Sequence, residues 1–229
     1  MDGPCISRIS LINVKTGARQ AKIPGVEDPS WSPEGKQLAF DTIYEAPVCG
    51  SCPTTPRKVF VSRSDGRRGR RRLVRGESPS WSPTADVIAY WTETAGQLHL
   101  IRPDGSGDRQ VGRYRTFAWS RDGTRFGVTL PCRNDLDICL GTMSVQTGRV
   151  IRITQAGYFP GGFAWSADDS SLAWIDSARD GDQLMSAPSS GAAKPREIFR
   201  TARDFRIDES SVVFTADGTR ILFTVTGPP

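Results

Sequence analysis

One histidine, five cysteines, paired carboxylates and one dense arginine run are the residues of this chain that suggest chemistry. A Ser–His catalytic pair needs an imidazole that a loop presents to a nucleophile. His99 instead sits in Gln97-Leu98-His99-Leu100-Ile101, whose alternation reads as a strand, and there is no Gly-x-Ser-x-Gly elbow. His99 is read as a structural or solvent-facing strand residue, and no catalytic residue is assigned. Paired carboxylates are available in Asp135/Asp137, Asp168/Asp169 and Asp208/Glu209. A glycosidase or lyase would need such groups opposed across a cleft. Asp168/Asp169 fall at a turn position, and the other two pairs fall in loops. Asp135 and Asp137 are kept as candidate partner-binding residues. Asp104-Gly105-Ser106-Gly107-Asp108 has the alternating oxygens that open a calcium loop, but Arg113, Tyr114 and Arg115 stand where a bidentate Glu is needed. A tight turn accounts for it better, and neither a metal nor a cofactor is expected.

The cysteines fall as two close pairs, Cys49/Cys52 and Cys132/Cys139, with Cys5 left over. Close pairs in turn-rich segments favour disulfides and an oxidising compartment. Cys132 and Cys139 bracket the turn between two strands, so a bond there would staple a hairpin. Zinc held by both pairs, and free thiols in a cytosolic protein, are the alternatives. Met1-Asp2-Gly3-Pro4-Cys5 has neither a basic n-region nor an apolar h-region, so no signal peptide is expected in this stretch. An extracytoplasmic placement therefore implies a mature fragment or an excised domain. Arg63, Arg67, Arg68, Arg70, Arg71, Arg72 and Arg75 form the basic run. Arg67, Arg68, Arg70 and Arg71 are candidates for contact with an acidic partner. No aromatics are interleaved for base stacking, which disfavours nucleic acid.

These residues need elements to position them, and the chain supplies them by repetition. Ser30-Trp31-Ser32-Pro33-Glu34-Gly35-Lys36-Gln37-Leu38-Ala39-Phe40 returns at Ser80–Tyr90, Ala118–Phe126, Ala164–Trp174 and Val213–Phe223. The anchors Trp31, Trp81, Trp119, Trp165 and Phe214 are spaced by 50, 38, 46 and 49 residues, the length of a propeller blade. Each copy reads as a hairpin: a short strand, an aromatic, a hydroxylic residue, a Pro/Asp/Gly turn and an alternating apolar strand. Aromatics recurring at blade period are expected in the core between blades. Two further strands follow each hairpin. The third strands contain Lys58–Val61, Gln97–Ile101, Ile138–Leu140 and Gln183–Met185, and the fourth contain Arg72–Val74, Asp108–Val111, Val150–Ile153 and Glu197–Phe199. The fifth copy stops after two strands. The missing pair is found at the other end, in Arg8–Asn13 and Gln20–Ile23. The expectation is an all-β, five-bladed propeller spanning residues 1–229 as a single domain, with the N-terminal strands completing the last blade. Closure of that kind leaves only short protected edges.

The Trp-Ser-Pro-x-Gly-x-x-Leu-Ala-Phe hairpin, followed by a hairpin with an Asp-Gly turn, resembles the TolB-type propeller repeat. It is also similar to repeats in the propeller of prolyl-oligopeptidase-like serine peptidases. The resemblance covers essentially the whole chain, and it implies six blades as the alternative to five. It rests on structural residues, so it speaks to fold more than to activity. Net charge is +5 with 37% hydrophobic residues, which describes a folded domain that permits but does not require an acidic partner. No apolar run is long enough to span a bilayer. The function expected is a monomeric, non-catalytic propeller that binds a protein or peptide in the periplasm, at the cell surface or after secretion. The alternatives are a carbohydrate- or small-ligand-binding propeller, including a carbohydrate-active enzyme, and the propeller of a larger peptidase-like protein.

Overall fold

The computed structural model describes residues 7–42, 56–65, 68–92, 96–132, 138–155, 160–178, 180–208 and 210–227. These residues form strands, turns and loops without a helix. The chain divides into two compact units, Met1–Arg113 and Tyr114–Pro229.

The first unit opens with β1 (Arg8–Ile12) and β2 (Arg19–Pro24), a two-stranded antiparallel sheet. Next comes a four-stranded meander of β3 (Val26–Trp31), β4 (Gln37–Thr42), β5 (Lys58–Arg63) and β6 (Arg71–Arg75). A second contains β7 (Glu77–Trp81), β8 (Ile88–Trp91), β9 (Gln97–Ile101) and β10 (Arg109–Arg113). The second unit repeats the pattern with β11 (Phe117–Trp119), β12 (Arg125–Pro131), β13 (Ile138–Ser144) and β14 (Val150–Arg152). It continues with β15 (Pro160–Trp165), β16 (Ser171–Ala178), β17 (Gly181–Pro188) and β18 (Arg196–Arg200). It ends with β19 (Arg206–Ile207), β20 (Val213–Phe214), β21 (Ile221–Leu222) and β22 (Val225–Thr226), paired as β19–β22 and β20–β21. The expected third and fourth strands all fall inside or across these elements.

The repeated hairpin is held by its own side chains. The hydroxylic residue after each aromatic closes the turn with its backbone, as in Ser32 N to Gln37 O (3.0 Å), Ser120 N to Arg125 O (2.9 Å) and Ser166 N to Ser171 O (2.9 Å). Its hydroxyl accepts from the departing strand, as in Arg125 N to Ser120 Oγ (2.9 Å) and Ser171 N to Ser166 Oγ (2.9 Å). The same hydroxyl donates to the turn aspartate, Ser120 to Asp122 (2.6 Å) and Ser166 to Asp168 (2.7 Å). Positive φ at Gly35, Gly123 and Gly218 completes the turn, and Asp169 takes that conformation in the fourth copy at φ 57°.

Within each unit, successive sheets pack face to face. In the first unit Ile9 and Ile23 of the two-stranded sheet lie on Val26, Leu38 and Phe40. Trp81, Ile88, Tyr90 and Ile101 lie on Ala39, Val59 and Val61. In the second unit Leu140 and Ile153 pack with Leu172, Trp174 and Ala187. Ala173, Ile175 and Leu184 pack with Ile207 and Val212. Trp81 is buried as the period predicts, and Trp119, Trp165 and Phe214 are partly buried. Trp31 departs from the expectation, with 46% of its surface exposed. The physical reason lies in the neighbouring sheet. Trp81 rests on residues of β4 and β5, whereas the sheet preceding Trp31 has only two strands and lacks a counterpart to β4.

Candidate functional site

The first strands of the two four-stranded sheets in the first unit begin alike: Val26-Glu27-Asp28-Pro29-Ser30-Trp31 and Gly76-Glu77-Ser78-Pro79-Ser80-Trp81. In both, the ladder breaks between the glutamate and the serine that precedes the tryptophan. Glu27 pairs with Asp41 and pairing resumes at Ser30 with Ala39; Glu77 pairs with Trp91 and pairing resumes at Ser80 with Ala89. The irregularity forces Asp28 and Ser78 to φ 48°, a conformation that non-glycine residues rarely adopt. Such strain persists only where surrounding contacts hold it, and it concentrates at functional sites. Here the contacts are mutual. Ser78 Oγ donates to Asp28 Oδ2 (2.9 Å), Ser78 N donates to Asp41 Oδ2 (2.9 Å), and Trp81 N donates to Ser30 Oγ (2.8 Å).

Arg57, just before β5, stands at the centre. Its Nε donates to the Thr42 carbonyl (3.1 Å), which fixes the plane of the guanidinium. Nη2 lies 3.1 Å from Glu27, 3.0 Å from Asp41 and 3.6 Å from Asp28, and Nη1 lies 3.5 Å from Glu77. Four carboxylates thus share one guanidinium. Asp41 is fully buried, while Glu27, Asp28 and Glu77 keep 36%, 47% and 42% of their side-chain surface exposed. Burial pushes the Asp41 carboxyl up to about 6, against the opposing pull of the Ser78 amide and Arg57, and Asp28 adds to the rise. Asp41 Oδ1 has no hydrogen-bond partner. The cluster is suited to receiving a cationic group along its three exposed carboxylates. Among the described residues no set of three or more His, Cys, Asp or Glu side chains has the grouping that would hold a metal ion.

The residues singled out from sequence fall elsewhere. Cys132 and Cys139 form a disulfide with Cα atoms 5.2 Å apart, joining the end of β12 to β13. Cys5, Cys49, Cys52, Arg67, Asp135, Asp137 and Glu209 lie outside the described residues. Arg70 stacks over Phe60 (4.4 Å) and Phe40 (5.2 Å), and Arg71 donates to the carbonyls of Pro103 and Asp104 (3.0 Å to the latter). Arg68 pairs with Asp65 at 3.7 Å. His99 lies in β9, its Nδ1 3.0 Å from Asp108, which also accepts from Tyr90 (2.9 Å). Burial, then that carboxylate, drive the Tyr90 hydroxyl well above its usual range. Asp168 is a turn residue held by Ser166 and Ser170. Asp169 does more, accepting the Arg121 and Asp122 amides (2.8 and 2.9 Å) of the adjacent turn. The Arg57 cluster was missed because Asp41, Arg57 and Glu77 lie far in sequence from the adjacent Glu27 and Asp28. The signal that could have found it is the Glu-x-Pro-Ser-Trp run, repeated at a spacing of 50 residues.

Successive four-stranded antiparallel meanders stacked on one another are the building plan of a β-propeller. Solved structures bear this out. A putative TolB from Agrobacterium tumefaciens matches with a TM-score of 0.67 at 17% identity, over 98% of this chain and 79% of that one. TolB from Acinetobacter baumannii matches with a TM-score of 0.61 at 13% identity, over 86% of this chain and 49% of that one. An acylaminoacyl peptidase from Pyrococcus horikoshii matches with a TM-score of 0.65 at 13% identity, over 86% of this chain and 35% of that one. The chain has a TolB-type propeller fold, one found in peptidases as well, and it spans about half the length of the Acinetobacter protein. No protein-family model and no curated protein matches it.

Proposed function

We propose that the chain is a non-catalytic propeller domain that binds a protein or peptide outside the cytoplasm, receiving a basic side chain of that partner at the Arg57 cluster. The observation that carries the reading is the imbalance of charge there: three partly exposed carboxylates and a buried fourth around a single guanidinium. The strained Asp28 and Ser78 support it, since their conformation has no use in a plain ladder. The Cys132–Cys139 disulfide supports the compartment, because such bonds persist in oxidising surroundings. Fluorescence anisotropy with labelled Lys- and Arg-containing peptides tests it, beside the same peptides acetylated on lysine or carrying citrulline. Glu27→Gln with Glu77→Gln should weaken binding of the basic peptides about tenfold, a loss of roughly 1.4 kcal/mol. Equal binding of neutralised peptides, or unchanged affinity in the double variant, would remove the cluster from the reading.

We further propose that β20–β21 and β1–β2 are the two halves of one blade, so that the chain is a single propeller of five four-stranded blades. Each is a two-stranded sheet, with β19–β22 paired at the outer ends of the β20–β21 hairpin, where the other four sheets have four strands. In the first unit the half-covered Trp31 lacks the strands that cover Trp81. In the second unit a cleft of about 510 Å³ opens beside β20–β21, bordered by Leu184, Ile198, Phe199, Phe214 and Phe223. A third strand added to β21 would cover that cleft.

A further inference from the structure

The Arg57 cluster draws on the starts of β3 and β7. The opposite ends of the sheets in the first unit carry a different chemistry. All of the net charge of +5 falls within residues 1–113. Lys15, Arg63, Arg68, Arg70, Arg71 and Arg102 lie on or flank three turns, those joining β1 to β2, β5 to β6 and β9 to β10, against Asp65, Asp104 and Asp108. These turns share an edge. Arg71 links the second to the third by donating to the Pro103 and Asp104 carbonyls. The first turn stands at the same end as the second, since Ser7, just before β1, meets Glu27 near the start of β3 at the other end (2.6 Å), and Ile9 and Ile23 pack on Leu38 and Phe40 of the neighbouring sheet. Exposed Lys15, Arg63, Arg68 and Arg102 stand along this edge. Its acids are engaged locally: Asp65 accepts the Arg68 amide, Asp104 accepts the Ser106 amide and hydroxyl, and Asp108 holds Tyr90 and His99.

The first turn adds an apolar tip. Val14 is 96% exposed and Ile12 57% exposed, beside Lys15. The turn itself is firm, with Asn13 Oδ1 accepting the Lys15 and Thr16 amides (2.9 and 3.1 Å) and Gly17 N donating to Asn13 O (2.8 Å). A rigid turn that holds an aliphatic side chain out into water gains nothing for folding from that side chain.

We propose that this edge docks on an anionic lipid surface, with Val14 and Ile12 entering the headgroup layer and the surrounding cations meeting lipid phosphates. A row of single cations beside a shallow apolar tip fits a planar layer of separate negative charges. Nucleic acid would call for aromatic stacking platforms, and these turns carry none. The edge lies apart from Glu27 and Glu77, so peptide binding and lipid binding stand or fall separately.

Co-sedimentation of the full chain with vesicles of phosphatidylglycerol and phosphatidylcholine, or of phosphatidylcholine alone, is the test. Binding is expected only with phosphatidylglycerol, and it should fall as salt rises from about 0.1 to about 0.5 M. Val14→Asp, and separately Arg68→Glu with Arg102→Glu, should each weaken it at least about fivefold, the effect of one charge near such a surface. Thermal melting checks that each variant is folded. Val14→Trp should show a blue shift in emission on adding the anionic vesicles. Absence of binding, equal binding to phosphatidylcholine vesicles, or wild-type binding by the variants would overturn the proposal. Displacement from vesicles by duplex DNA at equal phosphate concentration would reassign the edge to nucleic acid.

Discussion

Asp41 shows how much a single carboxyl can be asked to do. It lies fully buried in β4, accepts the Ser78 amide from the next sheet and faces Arg57, Glu27, Asp28 and Glu77. Its folded pKa of about 6 is above the ordinary aspartate value, so the folded state binds this proton more tightly than the unfolded chain does. Stability from Asp41 is therefore fully present below about pH 4 and lost as pH rises toward 7, on the order of 3 kcal/mol at most. Asp41→Asn keeps an oxygen for the Ser78 amide and cannot titrate. Urea denaturation between pH 4 and 7 should show a slope in the wild type that the variant lacks. Identical slopes would mean that Asp41 does not titrate in that window. None of this was legible in the sequence. Asp41 reads there as the end of an apolar strand, and burial with a distant partner leaves no local mark. His99, by contrast, was legible, because strand alternation alone places it.

At the scale of elements, the hairpins were legible because their determinants are local. The hydroxylic residue, the turn aspartate and the positive-φ residue all act within six residues of the aromatic, as the third and fourth copies show. What escaped was the broken pairing at the start of β3 and β7. Irregular pairing depends on the facing strand, and Glu-Asp-Pro-Ser and Glu-Ser-Pro-Ser do not announce it. The β19–β22 pairing escaped as well, since two-residue strands carry no period to read. The fourth strands show why these sheets can end openly: β6, β10 and β18 each begin and end with arginine, the charge pattern that discourages edge-to-edge pairing. The Cys132–Cys139 bond joins two such locally determined strands diagonally across the Pro131–Ile138 pair, since Cys139 itself faces Leu130. Cys132→Ser with Cys139→Ser should cost about 2–3 kcal/mol in denaturant unfolding under oxidising conditions. Reduction of the wild type should reproduce the loss, and a variant of unchanged midpoint would show that the bond closes a loop already held by the ladder.

For the whole molecule, the period of the anchors carries the fold, and the ends carry the question of completeness. A repeat architecture buries its faces only against neighbouring repeats, so terminal half-blades are exposed unless something completes them. Trp31 in the first unit, and Leu222 at 68% exposed in the second, are the marks of such ends. Sequence could suggest the proposed closure because the strand types at the two ends are complementary, while any pairing between them depends on positions that no local pattern encodes. If residues 8–23 complete the blade begun by β20–β21, deleting residues 1–25 must be felt in the second unit as well as the first. Loss of Ile9 and Ile23 from the cluster with Leu38 and Phe40 would disturb the first unit in any case, so melting alone does not discriminate. Hydrogen exchange at residues 213–223 does. The deletion should raise exchange there, and a peptide of residues 1–25 added in trans should restore protection. If the closing strands come from the same molecule, sedimentation of the intact chain should stay monomeric across concentrations. Exchange at 213–223 that ignores the deletion would refute closure. Concentration-dependent dimers with protected 213–223 would show instead that the completing strands are exchanged between two copies.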